Sequence, residues 1–408
     1  MDTVSVRCCI AGAGPAGVIL GLLLARAGVE VLVLEKHADF LRDFRGDTLH
    51  PSTLEVMHEL GLLQKLLHLP HQKVSQINAL FGDLALTVAD FNHLQTQCRF
   101  IALMPQWDFL NFLTLEAARY PTFHLRMQSE VTGLIEEKKC VTGLNAISSG
   151  RPLSVRTNLV VGADGRHSVV RTQANLKVQD FGAPMDVLWF KLTRQSGDPK
   201  DPVARFDTGR VFIMLNRGEY WQCGFVISKG SLGQIRERGL PALRDDIVKL
   251  APFVSDRVGK LQDWEEIKLL TVQVDRLRQW FRPGLLCLGD AAHAMSPVGG
   301  VGINLAIQDA VAAANLLAGP LRSNRLITED LRRVQRRREW PTRLTQQVQL
   351  SIQNRVISRV LRDDSFLSPP FLIQLLARFP FLRRLPARLI GIGFCPEHVS
   401  TPCATELR

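Results

Sequence analysis

Within Leu285–Asn304, an acid, a histidine and a run of glycines fall in an order that suits ligand binding. Leu285–Leu286–Cys287–Leu288 is a short apolar run that predicts a buried strand. It ends at Gly289–Asp290, crosses a loop containing Pro297, Gly299 and Gly300, and re-enters a helix at about Gly302–Ile303–Asn304. A carboxylate at the carboxyl end of a strand can accept hydrogen bonds from a polyol chain. The free N–H groups of a helix N-terminus can face a negatively polarised ring edge. His293 in the same stretch has two readings, a general base or a residue that fixes the loop.

The first 35 residues make that pattern specific. Val4 to Ala11 is strand-like apart from Arg7, and it opens into Gly12–Ala13–Gly14–Pro15–Ala16–Gly17. An apolar helix to about Ala27, Gly28, a second strand Val31–Leu34 and then Glu35 follow. Strand, G-x-G-x-x-G, helix, strand and acid is the dinucleotide fingerprint in its required context. Gly12, Gly14 and Gly17 permit a tight turn and let N–H groups approach a pyrophosphate, with Ala16 on the same turn. Glu35 stands 18 residues after Gly17, where an acid can bond both hydroxyls of a ribose. Lys36 follows it directly.

A third segment selects the dinucleotide. Leu159–Val–Val–Gly–Ala–Asp164–Gly165–Arg166–His–Ser168 reads as a strand, an Asp–Gly turn and a helix start capped by Ser168. Taken together, Gly12–Gly17, Asp164–Gly165 and Gly289–Asp290 resemble the motifs of the group A flavoprotein monooxygenases, the aromatic-hydroxylase superfamily. Order and rough spacing match across essentially the first 320 residues.

The resemblance implies FAD, with NAD(P)H as a transient co-substrate and O2 as the oxidant. It implies oxygen transfer through a flavin C4a-hydroperoxide, hydroxylating or epoxidising a largely apolar, aromatic or polyketide-like small molecule. It assigns Arg45 and Gln106 to the pyrophosphate and ribityl region, Val131 and Asp164 to the cofactor set, and Asp290 to the ribityl chain. Gly302, Ile303 and Asn304 would turn backbone N–H groups to the flavin, and Pro297, Gly299 and Gly300 would line the oxygenation face. The residues alone leave Arg45 open as a surface arginine and Gln106 as a helix cap. Phe190, Phe206, Phe212, Met214, Trp221 and Phe225 lie on candidate strands and read either as pocket wall or as core. No catalytic base is assigned. Alternatives on the same fold are a reductase or a halogenase, whose Trp-x-Trp-x-Ile-Pro pattern is missing, or a non-catalytic FAD-binding regulator.

The 408 residues, 46% hydrophobic and 22% charged, have globular values and can bury a sizeable core. No apolar run is expected to reach transmembrane length, and the N-terminus reads as strand and helix rather than a leader. Eight cysteines without a C-x-x-C pair, and histidines without ligand spacing, predict a cytoplasmic chain with no metal. The net charge of +11 is concentrated. Residues 321–408 hold 16 Arg and no Lys against 7 acids, a surplus of 9. The arginine clusters Arg332–Arg333 and Arg336–Arg337–Arg338 carry no stacking aromatics between them, so nucleic acid is not expected. The readings are a solvated helical face, domain-facing salt bridges, or contact of the basic, apolar C-terminal region with a membrane surface or an acidic partner. The oligomeric state is open.

The expected architecture is α/β: a Rossmann-like FAD-binding domain with an inserted antiparallel β-sheet substrate domain and C-terminal helices. The expected boundaries are 1–72, 104–178 and 281–345 for the FAD-binding domain, 73–103 and 179–280 for the substrate domain, and 346–408 for the helical region. Ser52 with Glu55 reads as a capping box for a helix over 53–67. Pro341 is expected to kink or divide a helix over 329–356.

Overall fold

The computed structural model describes residues 2–41, 48–82, 84–362 and 371–404. Asp2–Ala11, Val31–Leu34, Arg151–Gly162 and Leu285–Cys287 end in near-continuous apolar runs, as strands covered on both faces must. They pair in parallel, Leu285–Cys287 beside Arg151–Gly162, then Asp2–Ala11, then Val31–Leu34, with Phe123–Arg126 beyond. Their register places Leu34, Ala11, Gly162 and Cys287 in one row. The loops that follow therefore leave the sheet along a single edge. Helix Pro15–Arg26 covers one face and packs on helix Gly302–Arg322, which packs in turn on helix Thr328–Ile352.

The stretch Val298–Arg322 is long and apolar enough to cross a membrane, contrary to expectation, but 72% of its most apolar window is buried inside the fold. Its alternating small residues serve close helix packing around the first sheet.

A second sheet of seven strands draws on two separated pieces of chain. Its order is Lys268–Leu270, Met185–Thr193, Tyr220–Ser228, Arg210–Asn216, Val203–Asp207, Gln76–Phe81 and Leu84–Asp90. The junctions are antiparallel, as expected, except where Val203–Asp207 meets Gln76–Phe81 in parallel. That is the seam between the pieces, where no hairpin dictates direction. Period-2 alternation sorts the side chains to two faces. Leu188, Phe190, Leu192, Phe212, Met214, Trp221 and Phe225 pack toward helix Leu232–Leu250. Met185, Val187, Trp189, Val211 and Val226 face the other way.

Three local expectations change. The helix expected over 53–67 is two, Pro51–Glu59 and Leu63–Leu67, divided where Gly61 turns left-handed at φ 70°. The cap is His50 with Pro51 at the first position, so Ser52 is inside the helix, and Glu55 accepts from the Gln97 N–H instead (3.1 Å). Thr328–Ile352 runs through Pro341 as one helix and continues into a π turn over Gln353–Ile357.

Much of the arginine surplus is tied inside the chain. Arg338, 1% exposed, donates to Asp309 (3.0 Å) and to Glu397 (3.4 Å). Arg337 also meets Glu397 (2.8 Å), and Arg332 and Arg336 meet Glu329. The Arg338 network joins three remote pieces of chain. Arg338→Met should keep the volume but remove a buried partner from Asp309, which keeps His293, and from Glu397, which keeps Arg337, lowering stability by about 1–3 kcal/mol. Urea unfolding measures this; an unchanged midpoint would show that the network contributes nothing.

Candidate active site

The shared sheet edge brings the three motifs together. Gly12 follows Ala11, Glu35 follows Leu34, Asp164 lies two residues past Gly162, and Asp290 three past Cys287. Backbone bonds lock the turn-outs side by side: Gly12 N–H to Leu34 O (2.8 Å), Ala163 N–H to Ala11 O (2.8 Å) and Leu288 N–H to Gly162 O (2.9 Å). Gly12, at φ 97°, sits so close to the next loop that a Cβ would lie 2.4 Å from the Ala163 oxygen. A Cβ on Gly17 would lie 2.0 Å from the Gly12 oxygen. Gly14 differs, because a Cβ there meets nothing within 4 Å. It opens onto free space at the start of helix Pro15–Arg26, whose first turn has no side-chain cap and no acid. Such an end, with unsatisfied N–H groups, suits a diphosphate.

Glu35 is buried, its carboxylate accepting from the Ala13 N–H (3.0 Å) and the His37 N–H (3.1 Å). It thus braces the fingerprint turn as well as ending its strand at the cradle. Lys36 is exposed beside it. Val131 packs its side chain into the first core opposite Ala146, two residues from Ser129, whose N–H donates to the Glu35 carbonyl (2.7 Å). Ala16 comes within 3.5 Å of where a Cβ on Gly289 would stand, so the fingerprint helix touches the Gly–Asp loop. Gln106 begins helix Gln106–Ala117, half-buried and making no cap bond. Arg45 lies outside the described residues.

The carboxylates take different settings. Asp164 accepts from the Val170 N–H (3.1 Å) while its other oxygen is buried without a partner. Burial pushes its carboxyl above the usual range, against hydrogen bonds from Ser168 and backbone N–H groups. Ser168 caps its helix as expected, accepting from the Arg171 N–H (2.9 Å). Asp290 is about one-third exposed and pairs with Arg166 of the Asp–Gly turn (3.2 Å). That bridge ties the second motif to the third.

The loop over Pro297–Gly300 is pinned from both sides. Asn304, 4% exposed, accepts from the His50 N–H (2.8 Å) and the Thr53 hydroxyl (2.8 Å), and donates to Thr48 O (3.1 Å) and Gly300 O (3.2 Å). Its amide is saturated by protein, so only its backbone faces a ligand, as Gly302 and Ile303 do at the uncapped helix start. The Thr48 hydroxyl also donates to Gly300 O (3.0 Å). From helix Thr328–Ile352, Gln349 donates to Ser296 O and Val298 O (both 2.8 Å), and Gln346 to Asp275 O and Ala294 O. Gly299 is exposed at the tip. His293 is 1% exposed and bonds Asp309 (2.6 Å), beneath the loop, which favours the loop-fixing reading over the general base. Burial would raise the Asp309 carboxyl, but His293 and Arg338 together hold it below the usual range.

Opposite the loop stands the second sheet. Val298 packs against the apolar cluster of Met185, Val187, Val211, Val226, Ile357 and Val360, against which Trp189, Phe206 and Leu361 also pack. Trp189 lies across Gly224, whose added Cβ would be 3.1 Å from the indole. Of the aromatic residues expected at a pocket wall, Phe206 stands on this side, stacked on Phe81 at 4.7 Å. Phe190, Phe212, Met214, Trp221 and Phe225 are core on the far face. Strand alternation carried that distinction, since residue 189 has the opposite parity to residues 188 and 190.

Gly14's open cradle, the partnerless Asp164 oxygen and the uncapped helix ends all fit a flavin dinucleotide. Residues 5–347 match the protein family described as FAD binding domain. The chain belongs to that family and, within it, to the group A flavin-dependent monooxygenases. It is 31% identical over 385 residues, 93% of this chain and 91% of the other, to 6-methylpretetramide 4-monooxygenase of Streptomyces rimosus. The fold is similar to that of OxyS anhydrotetracycline hydroxylase from Streptomyces rimosus, with a TM-score of 0.75 at 23% identity over 95% of this chain and 76% of that one. It is equally similar to CmlS, a flavin-dependent halogenase, with a TM-score of 0.75 at 20% identity over 99% and 76% of the two chains. At such identities the likeness shows the architecture alone.

Two outcomes follow from this geometry. Glu35→Ala should weaken FAD binding by about 1–3 kcal/mol, the scale of hydrogen bonds to a charged group. Flavin fluorescence titration reads it, and an unchanged affinity removes Glu35 from the cradle. His50 is fully buried, and desolvation lowers its imidazole to about 4, opposed by its bond to Ile390 O. Its folded pKa lies below the unfolded one, so its contribution is present above about 6.5 and lost as pH falls through 4, about 3 kcal/mol in all. Stability measured from pH 7 to 4 should therefore fall less steeply in His50→Asn; equal slopes would contradict the assignment.

Proposed function

We propose that this chain is an NAD(P)H-dependent monooxygenase that hydroxylates or epoxidises a largely apolar, aromatic or polyketide-like small molecule. The observation that carries this reading is the meeting of two elements. The pinned Pro297–Gly300 loop ends the cofactor cradle, and its Val298 packs into the apolar cluster of the second sheet that includes Val211, Trp189 and Phe206.

In this reading, Gly12, Gly14, Ala16 and Gly17 receive the diphosphate on backbone N–H groups, and Glu35 bonds the adenosine ribose beside Lys36 and Val131. Arg45 and Gln106 complete the phosphate and ribityl contacts. Asp290, one-third exposed beside Arg166, would hold a ribityl hydroxyl, and Asp164 would border the groove for the nicotinamide. The N–H groups of Gly302, Ile303 and Asn304 stabilise negative charge on the ring edge they face. FAD held there would supply the redox chemistry that couples NAD(P)H oxidation to oxygen transfer from O2. The overall balance is substrate, O2, NAD(P)H and a proton giving oxygenated substrate, NAD(P)+ and water. The chain's own task is to hold the substrate against Pro297, Gly299 and Gly300 and to keep water away. Val298 and Trp189 do so with apolar surface, and no side chain is assigned as a base. A cytoplasmic address suits the eight free cysteines.

The test is a metabolite panel scored for NAD(P)H oxidation above background, followed by turnover under 18O2. One labelled oxygen should appear in the product, and poor analogues should divert electrons to hydrogen peroxide. Flavin reduction with peroxide as the sole product for every aromatic and polyketide substrate would overturn the reading.

A further inference from the structure

Beyond the chemistry of the site, the C-terminal helices carry a surface that the fold leaves uncovered. Phe371–Arg378, the turn Pro380–Arg383 and Arg384–Gly391 lie along the edge strand Leu84–Asp90 of the second sheet. Their inner side is committed. Ile373 and Ala377 pack on Phe81, Leu86 and Phe206, while Ala387 and Ile390 pack on Phe91 and Leu94.

Their outer side is apolar as well. Phe371 is 78% exposed, Phe381 62%, Leu385 61% and Phe379 43%, and the Phe379 and Phe381 rings lie 6.1 Å apart. Four large apolar side chains within 15 residues are a patch rather than scattered exposure. Basic groups surround them. Arg378, Arg384 and Arg388 are exposed, and no acidic partner meets them among the described residues. Arg383 differs, turned inward to the Leu376 and Ala377 carbonyls. From Phe371 to Gly391 there is no Asp or Glu at all.

This charge pattern decides among occupants. An isologous contact with a second copy would set these arginines against themselves. An acid-free basic rim around aromatic side chains fits an anionic lipid headgroup layer, with the rings entering the acyl boundary and the guanidinium groups at the phosphates. We propose that the outer face of residues 371–388 docks on an anionic phospholipid surface. The same helices bury Phe206 and Phe81 from behind, so the docked face lies next to the apolar sheet surface of the active site. This placement would let an apolar substrate enter from the bilayer, and in that respect it rests on the proposed function. The docking itself does not.

The experiment uses the full chain loaded with FAD, without NAD(P)H, in co-sedimentation with vesicles of phosphatidylcholine alone or mixed with phosphatidylglycerol. Binding is expected to the mixed vesicles and to be weakened by high salt. The partition coefficient should fall roughly tenfold both in Phe381→Ser/Leu385→Ser and in Arg384→Ala/Arg388→Ala. Thermal melting and flavin content of the variants establish that they fold, and the wild-type comparison of the two vesicle types stands without them. Equal binding to both vesicle types, or to neither, overturns the proposal. So does a dimer in sedimentation velocity that the same substitutions abolish. Docking with no oxygenation of any substrate would leave this inference standing and remove the functional reading.

Discussion

Everything at the site depends on one close approach of bare backbone. Gly12 passes the Ala163 carbonyl where no Cβ could fit, and Gly17 passes Gly12 still more tightly. These contacts let four strands end in one row, and they leave helix Pro15–Arg26 aimed at the space in front of them. A side chain at either position would push the loops apart and separate Glu35, Asp164 and Asp290. The binding edge is thus made by what is missing from the residues, with main-chain hydrogen bonds supplying the rigidity.

A second layer holds the reactive end still. The Pro297–Gly300 loop has two left-handed glycines and little intrinsic stiffness. It is ordered instead by amides from elsewhere: Asn304 from the helix that follows, and Gln346 and Gln349 from a helix 40 and more residues later. Below it His293, Asp309, Arg338 and Glu397 form a hydrogen-bonded polar column that is almost wholly buried. A loop that must exclude water gains from such support, because a small displacement would admit solvent to the pocket.

The two faces of the second sheet divide labour by parity alone. One builds a core with helix Leu232–Leu250, and the other meets Val298. The arginines divide in a similar way. Those from Arg332 to Arg338 turn to acids within the chain, whereas Arg378, Arg384 and Arg388 are exposed and meet no acidic partner among the described residues. Sequence charge counts cannot separate these two groups, since the difference lies in which acids the fold brings within reach.

The sequence by itself determined the motif positions, because glycine spacing, strand-ending acids and apolar runs are local signals set by backbone sterics and by solvent exclusion. The α/β class was legible on that basis, as were the Ser168 cap and most strands of the second sheet, Val203–Asp207 excepted, while the flavin was legible through the family resemblance those motifs carry. Tertiary structure decided what depends on remote partners. Ser52 lost the cap to His50, which Asn304 holds from 254 positions away, and Pro341 stayed inside a helix that packing supports along its length. Asn304 was legible as a position, but the saturation of its amide by Thr48, His50 and Thr53 was not. Arg166, Asp309, Gln346 and Gln349 carried no sequence signal beyond polarity within or beside apolar runs. Their importance comes from burial, which makes a paired polar group an anchor and an unpaired one a liability, and burial is a property of the assembled fold.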